Sequence, residues 1–190
     1  SSGGRPRAST TVALYRALRL RSVCSMWCRA VESQLRAARS ADFGGVAPSA
    51  YLSVHGITSF IAAMLSRTTS LLLDDVALGH GDLSRILGAC TPSLTALSLK
   101  RCGRPDAELG EVLKCSCAFG AQLRQLSLGG SSEVGAMTLG ALAALPPRSL
   151  TALDLSGCRA AAQGSPMRLE ALFRACPRLA RLDLSSQAGL

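Results

Sequence analysis

Apolar and polar positions alternate along this chain in one recurring arrangement. Two leucines flank a single small or polar residue, a third leucine stands three positions ahead, and a cysteine or another residue follows three positions behind. The copies are Leu94-Leu97-Leu99-Cys102, Leu123-Leu126-Leu128-Ser131, Leu150-Leu153-Leu155-Cys158 and Leu179-Leu182-Leu184-Gln187, and their first leucines lie 29, 27 and 29 residues apart. Side chains alternate along a strand, so Leu97 and Leu99 share one face while Ala96, Ser98 and Lys100 share the other. A fifth, degenerate copy lies upstream, with Leu71 and Leu73 in the paired positions and Val76 in place of the cysteine.

Helical halves are predicted between the strands, at about Asp82–Cys90, Asp106–Cys115, Val134–Leu145 and Ser165–Cys176. Leu87, Leu113 and Leu142 each follow the first strand leucine of their own copy by 16 residues. Leu172 follows Leu153 by 19, which places a three-residue insertion in Arg159–Pro166. Asp82, Asp106 and Ser165 have the chemistry of N-caps, and Pro92, Pro146 and Pro177 stand where helices should stop. Ile57–Leu65 is apolar on one side and reads as the helix of an incomplete first unit, with Tyr51–Val54 as its capping strand.

A period in the twenties combining strand, turn and helix is that of a leucine-rich repeat. No such unit can bury its own apolar face, so neighbours stack and share one core. The expected fold is an α/β solenoid of about five strand–helix units on a curved parallel sheet over residues 67–190, with an N-terminal helical segment at 12–40. A basic tail at 1–11 and a linker with the incomplete first repeat at 41–66 complete the division. The solenoid is expected to be cut short at its C-terminal end, since Leu190 follows the last strand without a closing helix.

Charge changes the picture only at one end. Residues 1–39 hold eight arginines and one acid, Glu32, while the whole chain carries +9. Basic charge without a recognition motif is a weak sign of nucleic-acid binding, so a solvated helix face and tail account for it better. No apolar run approaches the roughly 18 residues a membrane-spanning helix needs, and Ser1–Ala13 lacks the apolar centre of a signal peptide. Of the eight cysteines, Cys90, Cys102, Cys158 and Cys176 fall on repeat positions, which points to buried free thiols in a reduced, cytoplasmic or nuclear compartment. Cys24-x3-Cys28 and Cys115-x-Cys117 have no matching second pair, and His55 and His80 are the only histidines, so no metal or cofactor is expected.

No catalytic constellation is found either. Leu128-Gly129-Gly130-Ser131-Ser132 lacks the lysine of a phosphate loop, and His80 sits in the turn Gly79-His80-Gly81. The outward strand positions are therefore the natural place for a partner, and among them and beside them Asp74, Lys100, Arg101, Gln125, Asp154, Arg181 and Asp183 are the candidate target contacts.

The N-terminal segment carries a second motif. Leu18-Arg19-Leu20-Arg21-Ser22-Val23-Cys24-Ser25-Met26-Trp27 resembles the second half of an F-box, where a leucine-rich stretch runs into Val-Cys, two polar residues and Trp. Cys176-Pro177-Arg178-Leu179 and, with one residue inserted, Cys90-Thr91-Pro92-Ser93-Leu94 are similar to the repeat junctions of the F-box leucine-rich-repeat family. The resemblance implies the substrate receptor of an SCF-type cullin-RING ubiquitin ligase. Leu18, Leu20, Val23, Cys24 and Trp27 would meet a Skp-type adaptor, and the solenoid would hold a target protein. The first half of an F-box is not found in Ser1–Ala13, so the motif is expected to be partial. The alternative is a non-ligase scaffold whose N-terminal helix only caps the stack.

Overall fold

The computed structural model describes residues 29, 33, 39–42, 67–76, 81–90, 93–115, 122–144, 149–158 and 166–186. Among these, six short strands and four helices alternate: β1 (Ser40–Asp42), β2 (Ser70–Leu72), α1 (Asp82–Cys90), β3 (Ala96–Ser98), α2 (Asp106–Cys115), β4 (Gln125–Ser127), α3 (Ala136–Ala144), β5 (Ala152–Asp154), α4 (Pro166–Ala175) and β6 (Arg181–Asp183). The strands form one sheet in chain order. Every neighbouring pair is parallel, with Leu71, Leu97, Leu126, Leu153 and Leu182 in register. The leucine spacing thus becomes a ladder running across the sheet.

Burial explains the ladder. The three leucines of the repeats beginning at Leu94, Leu123 and Leu150 are all at most 2% exposed. They join Leu83, Ile86 and Leu87 of α1, Leu109, Val112 and Leu113 of α2, Leu139 and Leu142 of α3 and Leu172 of α4 in one core. Each buried leucine contributes about 1.5–3 kcal/mol relative to exposure, and none of these units has enough apolar surface to close a core alone.

Among the described residues the sheet has six strands, which fits the expected solenoid of about five units with one strand more. The additional one, β1, crosses the boundary drawn between the helical segment and the linker, and pairs with β2 through Ala41 and Leu71. Ala41 is fully buried and holds the place a leucine holds elsewhere, which is why no leucine pattern marks this strand. Arg29 and Ser33, in the N-terminal segment, are helical and exposed. Tyr51–Val54, Ile57–Leu65 and the insertion within 159–165 lie outside the described residues.

One expectation needs correction, at Asp106. It stands at the start of α2, but its carboxylate accepts hydrogen bonds from the N–H groups of Gly135 (2.9 Å), Met137 (2.7 Å) and Thr138 (2.9 Å). Those groups open α3, so Asp106 caps the helix of the next repeat rather than its own. A helix begins with N–H groups that have no partner inside it, and here the neighbouring unit supplies the acceptor.

Each repeat also turns in the same way. Asp75, Arg101, Gly130, Gly157 and Ser186 follow their strand leucines by the same four positions, and all have φ between 51° and 71°. This left-handed conformation suits glycine and costs other residues about 1–2 kcal/mol. Behind the turn, Ser131 Oγ donates to the carbonyl of Leu99 (3.3 Å) and Cys158 Sγ to that of Leu128 (3.2 Å). The small polar side chain of the pattern therefore ties the units of Ser131 and Cys158 each to the one before it. A second tie lies at the other end of the strands, where the hydroxyls of Thr69, Thr95 and Thr151 donate to the carbonyls of Arg39, Thr69 and Arg124 at 2.9–3.0 Å. Arg124 and Ala180 occupy the same repeat position without a hydroxyl, and make the backbone bond alone.

Candidate interaction site on the sheet face

Because successive strand residues face opposite ways, burying the leucines forces Ser70, Leu72, Ala96, Ser98, Gln125, Ser127, Ala152, Asp154, Arg181 and Asp183 onto the other face. Together with Lys100 they line an open groove of about 420 Å³ that crosses β2 to β6. Most of these side chains are small, so the floor lies close to the strand backbone. The groove is uneven along its length, with Leu72 and Ala96 at one end and Arg181 and Asp183 at the other.

Lys100 organises the middle. Its ammonium reaches Asp154 Oδ2 at 2.8 Å, two repeats away. The intervening repeat has Gly129 at the position equivalent to Lys100, and a Cβ there would lie 2.7 Å from Ser156 Oγ and 3.1 Å from Asp154 Oδ1. Only the absence of a side chain lets lysine and aspartate meet. Asp154 also accepts from Ser127 Oγ (2.7 Å), Ser156 N–H (3.0 Å) and Ser156 Oγ (2.7 Å). Partial burial opposes its charge, but the Lys100 contact and the serine donors outweigh that and hold its carboxyl well below the usual range. The same contact with Asp154 raises the Lys100 value, assisted more weakly by Asp74 and Asp183.

Asp74 sits beside this cluster, accepting from Ser98 Oγ (2.5 Å) and the Lys100 N–H (3.0 Å). Asp183 accepts from the Ser185 N–H at 2.9 Å, and the Ser185 contacts hold it below the ordinary carboxylate value. Of the seven candidate target contacts, Lys100, Gln125, Asp154, Arg181 and Asp183 line the groove. Arg101 stands outside it. Its guanidinium grips Asp75 through two hydrogen bonds, at 2.6 and 2.5 Å. Asp75 is the residue that spacing did not single out, because its partner lies 26 residues away at the same turn position. Leu18, Leu20, Val23, Cys24 and Trp27 lie outside the described residues.

The described thiols of Cys102, Cys158 and Cys176 are unpaired and buried, and burial raises all three above the ordinary thiol value. Among the described residues, no helix is long and apolar enough to cross a membrane.

No family model and no curated protein matches the chain. Among solved structures, it is similar to a chain in the crystal structure of a TLR13-ssRNA13 complex, at 20% sequence identity and a TM-score of 0.46, over 78% of this chain and 22% of that one. This chain spans less than a quarter of that one's length. The in-register parallel ladder, the strand–turn–helix period and the shared leucine core make the described residues an α/β leucine-rich-repeat solenoid.

Proposed function

We propose that the chain is a protein-binding module that holds a target on its sheet face and docks through its N-terminal segment to a Skp-type adaptor of a cullin-RING ubiquitin ligase. The groove supports the first half of this reading. Its floor is a wide, small-residue surface crossed by a few charged side chains, the form in which a solenoid offers area to a partner. The second half rests on Val23-Cys24-x-x-Trp27 standing ahead of repeats that carry Cys176-Pro177-Arg178-Leu179. In that role Leu18, Leu20, Val23, Cys24 and Trp27 form the adaptor contact, and ubiquitin transfer is the work of other subunits.

One observation favours a scaffold role instead. The carbonyl of Arg39 accepts the N–H groups of Thr69 and Ser70, so the chain leaving the N-terminal segment passes directly into the first strand of the sheet. A helix so tethered can serve as a cap. The two roles separate in a capture experiment with purified adaptor and the full 190-residue chain. Wild type should retain the adaptor and Val23→Asp should lose it, with unchanged circular dichroism and melting temperature. A folded chain that captures no adaptor would leave the scaffold role standing.

A further inference from the structure

The groove has a polarity that says what kind of segment fits it. From β2 to β6 there are four inter-strand steps of about 4.8 Å, roughly 19 Å in all, the reach of about six extended residues. Leu72, half-buried, and Ala96 make the beginning of that path apolar. Its far end is charged: Asp154 and Asp183 stand there with Lys100 and Arg181, so this stretch is balanced where the chain as a whole carries +9.

Asp154 and Asp183 are register partners on β5 and β6. Like charges placed side by side on one face repel, and Lys100 answers Asp154 from the β3 side. On the β6 side, Asp183 faces outward with its turn partner Ser185, and Arg181 lies two residues before it, exposed. A carboxylate approaching Arg181 would enter the field of both aspartates. An ammonium or guanidinium arriving there would instead relieve their repulsion.

We propose that the groove takes an extended target segment laid across the strands, with an apolar side chain at its Leu72–Ala96 end and a lysine or arginine side chain at its Asp154–Asp183 end. This deepens the target-holding role proposed above and does not depend on the adaptor. Asp183 is the outer anchor, Asp154 the inner one, and Lys100 sets how far the incoming cation can travel.

The test uses the full 190-residue chain without adaptor. Random peptides of about twelve residues, displayed on phage, are selected on it and then titrated by fluorescence anisotropy. The selected peptides should share a lysine or arginine with an apolar residue about four to six positions away. Asp183→Asn should weaken them on the order of ten-fold, the scale of losing one charge-assisted hydrogen bond. Leu72→Ser should weaken them too, and Arg174→Gln, on an exposed helix face outside the groove, should not, with all three variants melting as wild type does. Selection of acidic peptides, indifference to Asp183→Asn, or failure to select any peptide overturns the proposal. Adaptor capture reads the N-terminal segment and peptide selection reads the sheet face, so the two failures are distinct.

Discussion

Asp106 and Thr138 hold each other twice, across the joint between two repeats: the Thr138 N–H donates to Asp106 Oδ1 at 2.9 Å, and the Thr138 hydroxyl to the Asp106 carbonyl at 3.3 Å. The start of one helix is thereby built into the start of the next. Removing the carboxylate with Asp106→Ala leaves the opening N–H groups of α3 without their acceptor. The expected cost is about 1–2 kcal/mol, seen as a lower urea midpoint with an unchanged slope. Asp106→Asn keeps an acceptor and should lose less.

The glycines divide by the space around them. A methyl at Gly129 collides with Ser156 and Asp154, so Gly129→Ala should destabilise by about 1–3 kcal/mol and separate Lys100 from Asp154. Gly140 lies inside α3, exposed, with nothing within 4 Å of an added Cβ. Gly140→Ala should therefore stabilise by about 0.5–1 kcal/mol, the helix preference of alanine over glycine. Thermal melts of the two variants should move in opposite directions.

Truncation along the leucine ladder should show a gradient. Leu126 lies between two repeats and is 2% exposed, so Leu126→Ala should cost about 2–5 kcal/mol. Leu182, on β6 with one strand neighbour among the described residues, is only partly buried. Leu182→Ala should cost clearly less, as measured by chemical denaturation of this chain.

Acid should loosen the protein in a defined window. The carboxyls of Asp154 and Asp106 are held below their ordinary value of 3.8 in the folded chain. The unfolded chain therefore binds protons first as pH falls. Their contribution is fully present above about pH 4 and is lost as pH drops through the lowered folded values. Melting temperature should fall below about pH 4, and Asp154→Asn should make that fall shallower.

The buried thiols should be slow. Burial disfavours the thiolates of Cys102, Cys158 and Cys176, and the thiolate is the reactive form. Alkylation of the folded protein should spare these three, and alkylation after non-reducing denaturation should label all eight cysteines.

How much of this was legible depended on whether a residue's role is local. The strand leucines, the first two helices and the outward positions of the groove follow from spacing, because alternation and helical period act between near neighbours. Ala41 escaped notice because a buried alanine carries no leucine signal. Asp106 looked like a cap and is one, but its helix lies 29–32 residues further on, and no local pattern carries that distance. Asp75 and Arg101 hid a turn position that Gly130 and Gly157 display openly, since aspartate and arginine do not announce a positive φ.

The threonine rungs also determine how this stack would respond to tension. Pulled from its two ends along the stacking direction, the load passes from unit to unit in series. The joints braced by Thr69, Thr95 and Thr151 have a hydroxyl sharing the force with the backbone. Those at Arg124 and Ala180 have only the backbone bond at that position. A stretched molecule therefore has seams of unequal strength, and the joint at Ala180, with neither a hydroxyl rung nor the Asp106 cap that spans the joint at Arg124, yields before the others.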